Sequence, residues 1–201
     1  MRVFLDDTEI TPPEPTLAAC LAAGAEAGER AGRVVVEVWV DGAPAPEADL
    51  EHPPGRSPYA DEVRLVTAEP CALVRTVMLD VAETLGDTIE TQARAADAIQ
   101  IGRTAEGLQG LGEALRAWDA ARRAVDEGCA LIRSRGGPDP APAVDPALVE
   151  SLGAALASVK EALAREDWAL LADLLAYDLK EQAEAWRREL ARLADAVQPA
   201  P

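Results

Sequence analysis

The chain has few aromatic residues and few of the side chains that active sites commonly use. Aromatic residues make up 3% of the 201 positions, histidine occurs once, and asparagine is absent. A core built with so few aromatic rings must consist mainly of Leu, Val and Ala, which suits closely packed helices. The hydrophobic fraction of 49% nevertheless indicates a folded protein and not a disordered one.

Cysteine is scarce as well. Cys20, Cys71 and Cys129 are odd in number and form no C-x-x-C pair, so the sequence predicts neither a disulfide framework nor a zinc site. The N-terminus MRVFLDD lacks the basic flank and apolar run of a signal peptide. No apolar run approaches the ~18 residues of a membrane-spanning helix. We therefore expect a cytoplasmic protein that does not associate with membranes.

Patterns typical of enzymes are missing too. The chain has no E-x-x-H motif for a di-iron site, no Gly-rich phosphate loop that leads into a helix, and no serine in a G-x-S-x-G setting. Its many carboxylate pairs lie on helices and are typical of solvated faces. The sequence therefore predicts a protein without catalytic residues, cofactor or metal.

Positive charge is in short supply relative to negative charge. The 36 acidic and 19 basic residues give a formal net charge of −17. A field of this sign repels phosphate groups, so we expect no nucleic acid and no anionic membrane among the partners. The simplest interpretation of the charge is solubility, and an acidic docking surface is the alternative.

The sequence predicts the α+β class, beginning with a small N-terminal α/β unit (β-α-β-β) over residues 1–69. The segment MRVFLD predicts a first strand, and Thr16 can cap a helix that ends by Gly32. The alternation in VVVEVWV predicts a second strand, closed by Asp41–Gly42, and EVRLVT predicts a third. A strand–helix–strand crossover would make the first two strands parallel neighbours. Gly24 and Gly28 are interpreted as points where the helix weakens.

A Pro-rich loop over residues 43–61 lies between the last two predicted strands. It contains His52, the single histidine, together with Arg56 and Tyr59. Loops of this length in small domains are either functional or mobile. The loop is therefore either a binding lid or an exposed connection, and a lone histidine favours the second interpretation.

From Pro70 onward the periodicity is helical, and we expect an antiparallel four-helix bundle made of two helical hairpins over residues 70–198. Gly102 and Thr104 mark the turn of the first hairpin, and residues 135–146 form a linker. Asp145 is expected to cap the third long helix, with Pro146 at its first position, and Asp167 to cap the fourth.

Polar residues fall on the apolar stripes of these helices. At about 100° per residue from Leu171, Asp178 and Gln182 lie on the stripe of the last helix. The same count places Arg122 on the stripe of the second helix, and Thr88 and Gln92 on that of the first. A buried charge requires a partner. We therefore expect Arg122 and Asp178 to pair inside the bundle or to extend their charges to its rim, unless the stripe is a groove in which polar groups await a partner's helix.

The helical part resembles the flagellar export chaperone family that binds flagellin. The segment LASVKEALAREDWALLADLLAYDLKEQAEAW (156–186) is similar to the family's C-terminal hairpin, with Asp167 at the turn and Trp186 near the end. AADAIQIGRTAEGLQGLGEALRAW (95–118) is similar in spacing to the preceding hairpin. DWALLADLLAYDL also resembles a motif of an uncharacterised bacterial family with a small α/β N-terminus. The resemblance covers residues 70–197 and implies a helical bundle that binds helices of other proteins.

The sequence thus predicts a non-enzymatic interaction protein, such as a chaperone or assembly factor, that holds a partner's amphipathic helix. The expected partner-binding residues are Trp118, Leu175, Tyr177, Asp178 and Trp186. One alternative is a structural homodimer whose bundle faces only itself, with a small-molecule or protein site on the N-terminal unit. Another is a small-molecule module closed by the Pro-rich loop.

Overall fold

The computed structural model of the protein describes residues 1–134 and 143–197. The chain divides into two compact units, Met1–Leu73 and Val74–Pro201, so that the division falls in the first turn of a long helix that begins at Pro70. Most of the predicted linker 135–146, and residue 198, lie outside the described residues. The protein belongs to the α+β class, with a small N-terminal sheet followed mostly by helices.

The N-terminal unit contains five strands and two helices. In chain order they are β1 (Arg2–Leu5), β2 (Thr8–Ile10), α1 (Leu17–Arg30), β3 (Val34–Val40), β4 (Ala43–Pro44), α2 (Glu47–Glu51) and β5 (Glu62–Ala68). The sheet order is β2-β1-β5-β3-β4. β1 pairs parallel with β5, and the other neighbours pair antiparallel.

The predicted order of strand, helix, strand and strand is present as β1, α1, β3 and β5, with β2, β4 and α2 inserted, but the predicted parallel pairing of the first two strands was wrong. β5 lies between β1 and β3, so the two strands that flank α1 are not neighbours. β5 has no proline and buries Val63, Leu65 and Thr67 on one face, which suits a central strand. β4 is two residues long and contains Pro44, which cannot donate to a ladder, so β4 occupies an edge.

Helix α1 packs on the sheet at its glycines. Thr16 caps it, since Thr16 Oγ1 accepts a hydrogen bond from the backbone N–H of Ala19 (3.2 Å), as predicted. Gly24 and Gly28 are buried, and a Cβ atom at Gly24 would overlap Leu65. These glycines therefore allow close approach of helix and sheet, and their interpretation as weak points of the helix was wrong.

Two aspartates hold the ends of the sheet. Asp6 Oδ1 and Oδ2 accept hydrogen bonds from the backbone N–H and the hydroxyl of Thr67, both 2.8 Å, and these bonds lower the pKa of Asp6. Asp41 Oδ1 accepts from the N–H groups of Asp61 (3.1 Å) and Glu62 (2.8 Å). Both aspartates have positive φ, 52° and 50°, which places them at tight turns.

The second unit is helical. Its elements are α3 (Pro70–Gln100), α4 (Thr104–Ser134), α5 (Pro146–Ala164), α6 (Trp168–Asp173), a π turn (Leu174–Asp178) and α7 (Leu179–Ala196). The side chains of Asp145 and Asp167 accept hydrogen bonds from Ala147 N and Leu170 N, which confirms both predicted caps. None of the helices in the described part of the chain combines the length and apolar character that crossing a bilayer requires.

One core cluster draws on all the helical elements. α3 and α4 approach closely where Gly107 packs on Ile99 and Gly110 on Ala95. Two arginines join α3 to α7: Arg75 Nη1 donates to Ala194 O (3.0 Å), and Arg187 Nε donates to Ala82 O (3.1 Å). The buried members of the cluster are Ala95, Ala96, Ile99, Leu111, Ala155, Val159, Ala162, Leu171, Ala172, Leu174, Leu175 and Leu179.

Candidate functional site

An apolar groove opens in the helical unit between α4 and α5. Its volume is 310 Å³. Leu115 of α4 and Val149 of α5 are 37% and 51% exposed, so large apolar side chains on both walls face solvent. We call this feature the α4–α5 groove; its lining residues are Leu115, Trp118, Asp119, Ala121, Arg122, Val149, Leu152, Gly153, Leu156 and Trp186.

Trp118 of α4 and Trp186 of α7 lie at the inner side of the groove. Their ring centroids are 6.3 Å apart and their planes meet at 84°, an edge-to-face pair. Both side chains are buried, and neither indole N–H has an acceptor among the described residues. The sequence predicted both tryptophans as partner-binding residues. The structure brings them together, and they give the groove an aromatic wall.

The predicted pair between Arg122 and Asp178 was wrong. The Arg122 guanidinium lies at the groove and pairs with Asp119 (3.2 Å) and Asp126 (2.8 Å), both on its own helix. The hydrogen bond to Asp119 and that residue's charge, more than Asp126, raise the pKa of Arg122. Arg122 is therefore an exposed residue with neighbours one turn away, not a buried ion that needs a partner across the unit.

The π turn explains why Asp178 is not buried. A π turn uses more residues per turn than an α-helical turn, so every residue after it is displaced by about 100° relative to an uninterrupted helix. Leu179 thereby takes the stripe position expected for Asp178. Leu179 is fully buried, and Asp178 is exposed. The apparent carboxylate in the apolar stripe results from counting through a π turn as if it were α-helical.

The other two predicted partner-binding residues lie in opposite environments. Leu175 is fully buried in the core cluster, so a substitution there tests stability before it tests binding. Tyr177, inside the π turn, is 70% exposed. Neither residue lines the α4–α5 groove. Of the five predicted partner-binding residues, the structure thus places the two tryptophans at the groove and the other three elsewhere.

The polar residues predicted on the other stripes behave differently from one another. Thr88 and Gln92 are buried, as expected. The Thr88 hydroxyl donates to Thr84 O at 2.8 Å, whereas the Gln92 amide forms no hydrogen bond within the described ranges. Gln182 is half-buried, and its Nε2 donates to Ser151 Oγ (2.7 Å), which joins α7 to α5.

Tyr59 anchors the Pro-rich loop to the N-terminal unit. Tyr59 is buried in the core of the N-terminal unit, and its hydroxyl donates to Asp49 Oδ2 (2.6 Å) of α2. The Arg56 guanidinium lies 4.3 Å from the centre of the Tyr59 ring. Burial and the bond to Asp49 raise the pKa of Tyr59. Tyr59 is thus a core residue, while His52 lies exposed at the end of α2.

The groove residues that sequence reasoning missed are on α5. Val149 and Gly153 line it, and Gly153 has open space where a Cβ atom would stand. A signal was available, because residues 151–159 contain no charge and α5 is therefore apolar on almost every side.

Other chemistry in the described residues is limited. Burial raises the pKa of the Cys20 and Cys129 thiols, which disfavours their reactive thiolate forms. Within residues 1–134 and 143–197, no three His, Cys, Asp or Glu side chains are grouped so that they could hold a metal ion. No protein-family model matches this chain, and no curated protein or solved structure matches it at a significant level.

Proposed function

We propose that the protein is a non-enzymatic interaction module that holds an amphipathic helix of another protein, as a chaperone or an assembly factor does. The observation that carries the proposal is the α4–α5 groove. It presents half-exposed Leu115 and Val149 to solvent and has the Trp118–Trp186 pair along its inner side. Exposed apolar surface of this kind costs free energy in water, and a bound apolar partner removes the cost.

The shape of the groove favours a helix as the occupant. Leu115, Trp118 and Arg122 follow one another at helical spacing on α4, as do Val149, Gly153 and Leu156 on α5. Each wall therefore extends over about two helical turns, roughly 10 Å. A partner helix would contribute apolar residues at positions i, i+4 and i+7 over the same length. The charged residues of the lining, Asp119 and Arg122, neutralise each other, so the anchors of the partner are expected to be uncharged.

We also propose that α3 to α7 form an antiparallel four-helix bundle of two hairpins, in which α6, the π turn and α7 count as one helix. The contacts of Gly107 and Gly110 with α3 and the two arginine bonds between α3 and α7 support it. In such a bundle α4 and α5 are neighbours, and the groove is the open space between them. The groove is then the place where a further helix completes the packing.

The family resemblance suggests the first partners to test. The resembled family binds flagellin, so flagellin and other exported flagellar proteins are the first candidates, and the proposed setting is the bacterial cytoplasm. Flagellar involvement is a hypothesis that rests on the hairpin spacing alone. Failure of the purified protein to bind any flagellar or exported protein would contradict it, without affecting the groove.

Site-specific photo-crosslinking tests the groove directly. A benzophenone amino acid is placed at residue 149, on the exposed wall, and the protein is irradiated in its native host. We expect adducts whose sequenced peptide carries apolar residues at i, i+4 and i+7. Leu115→Asp in the same chain should abolish them, because a carboxylate would have to be buried against the partner's apolar face.

The matched control carries the same photoreactive group at Ala93, an exposed residue of α3 that does not line the groove. Adducts of equal yield from positions 93 and 149 would show that the groove has no special affinity. If the adducts from position 149 contain only this chain, the molecule held in the groove is a second copy of the chain and not another protein.

A further inference from the structure

Helix α5 is more exposed to solvent than its apolar composition leads one to expect. Residues 151–159 read SLGAALASV and contain no charge, in a chain of which 27% is charged. A helix that is apolar on all sides is normally buried. One side of α5 is buried, through Ala155 and Val159, but Val149, Gly153 and Ala157 are exposed. Within residues 1–134 and 143–197, no segment covers this side of α5, which is therefore an apolar surface open to another molecule.

The charged residues nearest to this uncharged segment are Glu150 and Lys160, which stand directly before and after it. At about 100° per residue, Glu150, Gly153, Ala157 and Lys160 lie within a sector of about 80°. All four are exposed. We call them the α5 stripe. Among the described residues, neither Glu150 nor Lys160 forms an ion pair, so both charges are available to another molecule.

The α5 stripe is complementary to itself. Glu150 and Lys160 have opposite charges and are equally distant along the helix from Ala155. If two α5 helices pack antiparallel through their exposed sides, about a two-fold axis level with Ala155 along the helix, Glu150 of each copy comes opposite Lys160 of the other. Gly153 then faces Ala157, and these small residues let the helices approach closely. A two-fold interface requires such matching of a surface with its own reverse.

We propose that a second copy of this chain docks on the α5 stripe in this antiparallel register and forms a two-fold symmetric dimer. The net charge of −17 opposes self-association through most of the surface, because like charges repel. The α5 stripe escapes this repulsion because its centre is uncharged and its two ends attract. Exposed Glu161, beside Lys160, is paired with Arg165 of its own copy (2.7 Å). The interface shares Gly153 with the groove, so a second copy on the α5 stripe and a helix in the groove would compete at that residue.

Charge exchange tests the register. Sedimentation equilibrium of the wild-type protein is expected to show a monomer–dimer equilibrium. Glu150→Lys places two lysines opposite each other at both ends of the interface, and Lys160→Glu places two glutamates there. Each single variant should weaken the dimer by roughly tenfold or more. The double variant, and an equimolar mixture of the two single variants, should restore it, because each again pairs opposite charges.

Glu181→Lys and Lys180→Glu are the matched controls, since they change the net charge equally at exposed positions of α7. They should leave the dimer unchanged, and circular dichroism verifies that every variant is folded. A wild-type protein that stays monomeric up to about 1 mM would overturn the proposal. So would single variants that dimerise as tightly as the wild type, or a mixture that does not associate. Because residue 149 adjoins the α5 stripe, the groove crosslinking is repeated in the Glu150→Lys variant. Adducts with another protein that persist there support the groove whatever happens to the dimer, so the two proposals fail separately.

Discussion

The two units of this protein are specified by residues at very different distances along the chain. In the N-terminal unit the parallel pair joins Val3 to Val63 and Leu5 to Leu65, so a strand at the start of the chain finds its partner at the end of the unit. In the helical unit the ends of the helices are set by residues within one turn, such as Asp145 and Asp167.

This difference shows where local sequence patterns are sufficient to predict the structure. A helix satisfies its own backbone hydrogen bonds, so its ends follow from caps and its direction from short turns. A strand satisfies them through another strand, and alternation does not say which one. The caps and turns of the long helices were therefore predicted, whereas the order of the strands was not, and α2 and β4 lie in the segment predicted as a loop. The comparison breaks down at one place, the π turn, where a local feature of a helix was not visible in the sequence.

Deleting one residue from α7 should have the largest effect on stability. The same deletion made in the π turn should cost much less. Removing Glu184 should rotate Trp186 and Leu190 out of the core and cost at least about 3 kcal/mol in the free energy of unfolding. Removing Tyr177, which is exposed in the π turn, should convert that turn to an α-helical one and keep Leu179 in place. Its cost should stay within about 1 kcal/mol.

Urea unfolding followed by circular dichroism measures both deletions, and hydrogen exchange locates the change in α6 and α7. Equal losses for the two deletions would mean that the π turn does not set the phase of the helix, and that Asp178 is exposed for another reason.

Two glycine substitutions compare the units directly. Gly24→Ala adds a methyl group that overlaps the fully buried Leu65, so it should destabilise the N-terminal unit by about 1–3 kcal/mol. Gly153→Ala adds the same methyl group in open space on α5, where it should stabilise the helical unit by about 0.5–1 kcal/mol. Hydrogen exchange reports on each unit separately. A stabilising Gly24→Ala would restore the interpretation of α1 as a helix weakened by its glycines.

The smallest effect concerns Asp6 and depends on pH. Its hydrogen bonds from Thr67 hold its folded pKa below the unfolded value, so their contribution is present above about pH 4 and is lost as the pH falls through the folded pKa. Because Asp6 is exposed, solvent screens the interaction, and Asp6→Asn should cost only about 0.5–1 kcal/mol at pH 7.

The cost of Asp6→Asn should shrink progressively as the pH falls below about 4. Asp7→Asn is the control, since it removes the same charge from an exposed neighbour that forms no side-chain hydrogen bond in the described residues. Urea unfolding of both variants at pH 7 and near pH 3 measures the difference. A cost that stays constant with pH would assign the effect to packing of the turn and not to the carboxylate.

The candidate site was predictable only in part. Trp118 and Trp186 were identified because large aromatic residues at helical spacing stand out in a chain with so few rings. Their meeting across α4 and α7 is a tertiary fact that neither helix contains. Val149 and Gly153 were missed because a small or aliphatic residue on a helix is predicted to be buried in the core. Only the structure shows which sides of the helix are covered.

The sequence by itself determined the α+β class, the long helices, their caps and the buried positions of Thr88 and Gln92, because these depend on period and on neighbours within a turn or two. Only the tertiary structure decided the central place of β5, the partners of Arg122, the exposure of Asp178 and the open groove beside α5. The first two and the groove depend on which distant part of the chain a residue contacts. The exposure of Asp178 depends on the extra residue in the π turn, which tertiary packing sets and local helix propensity does not.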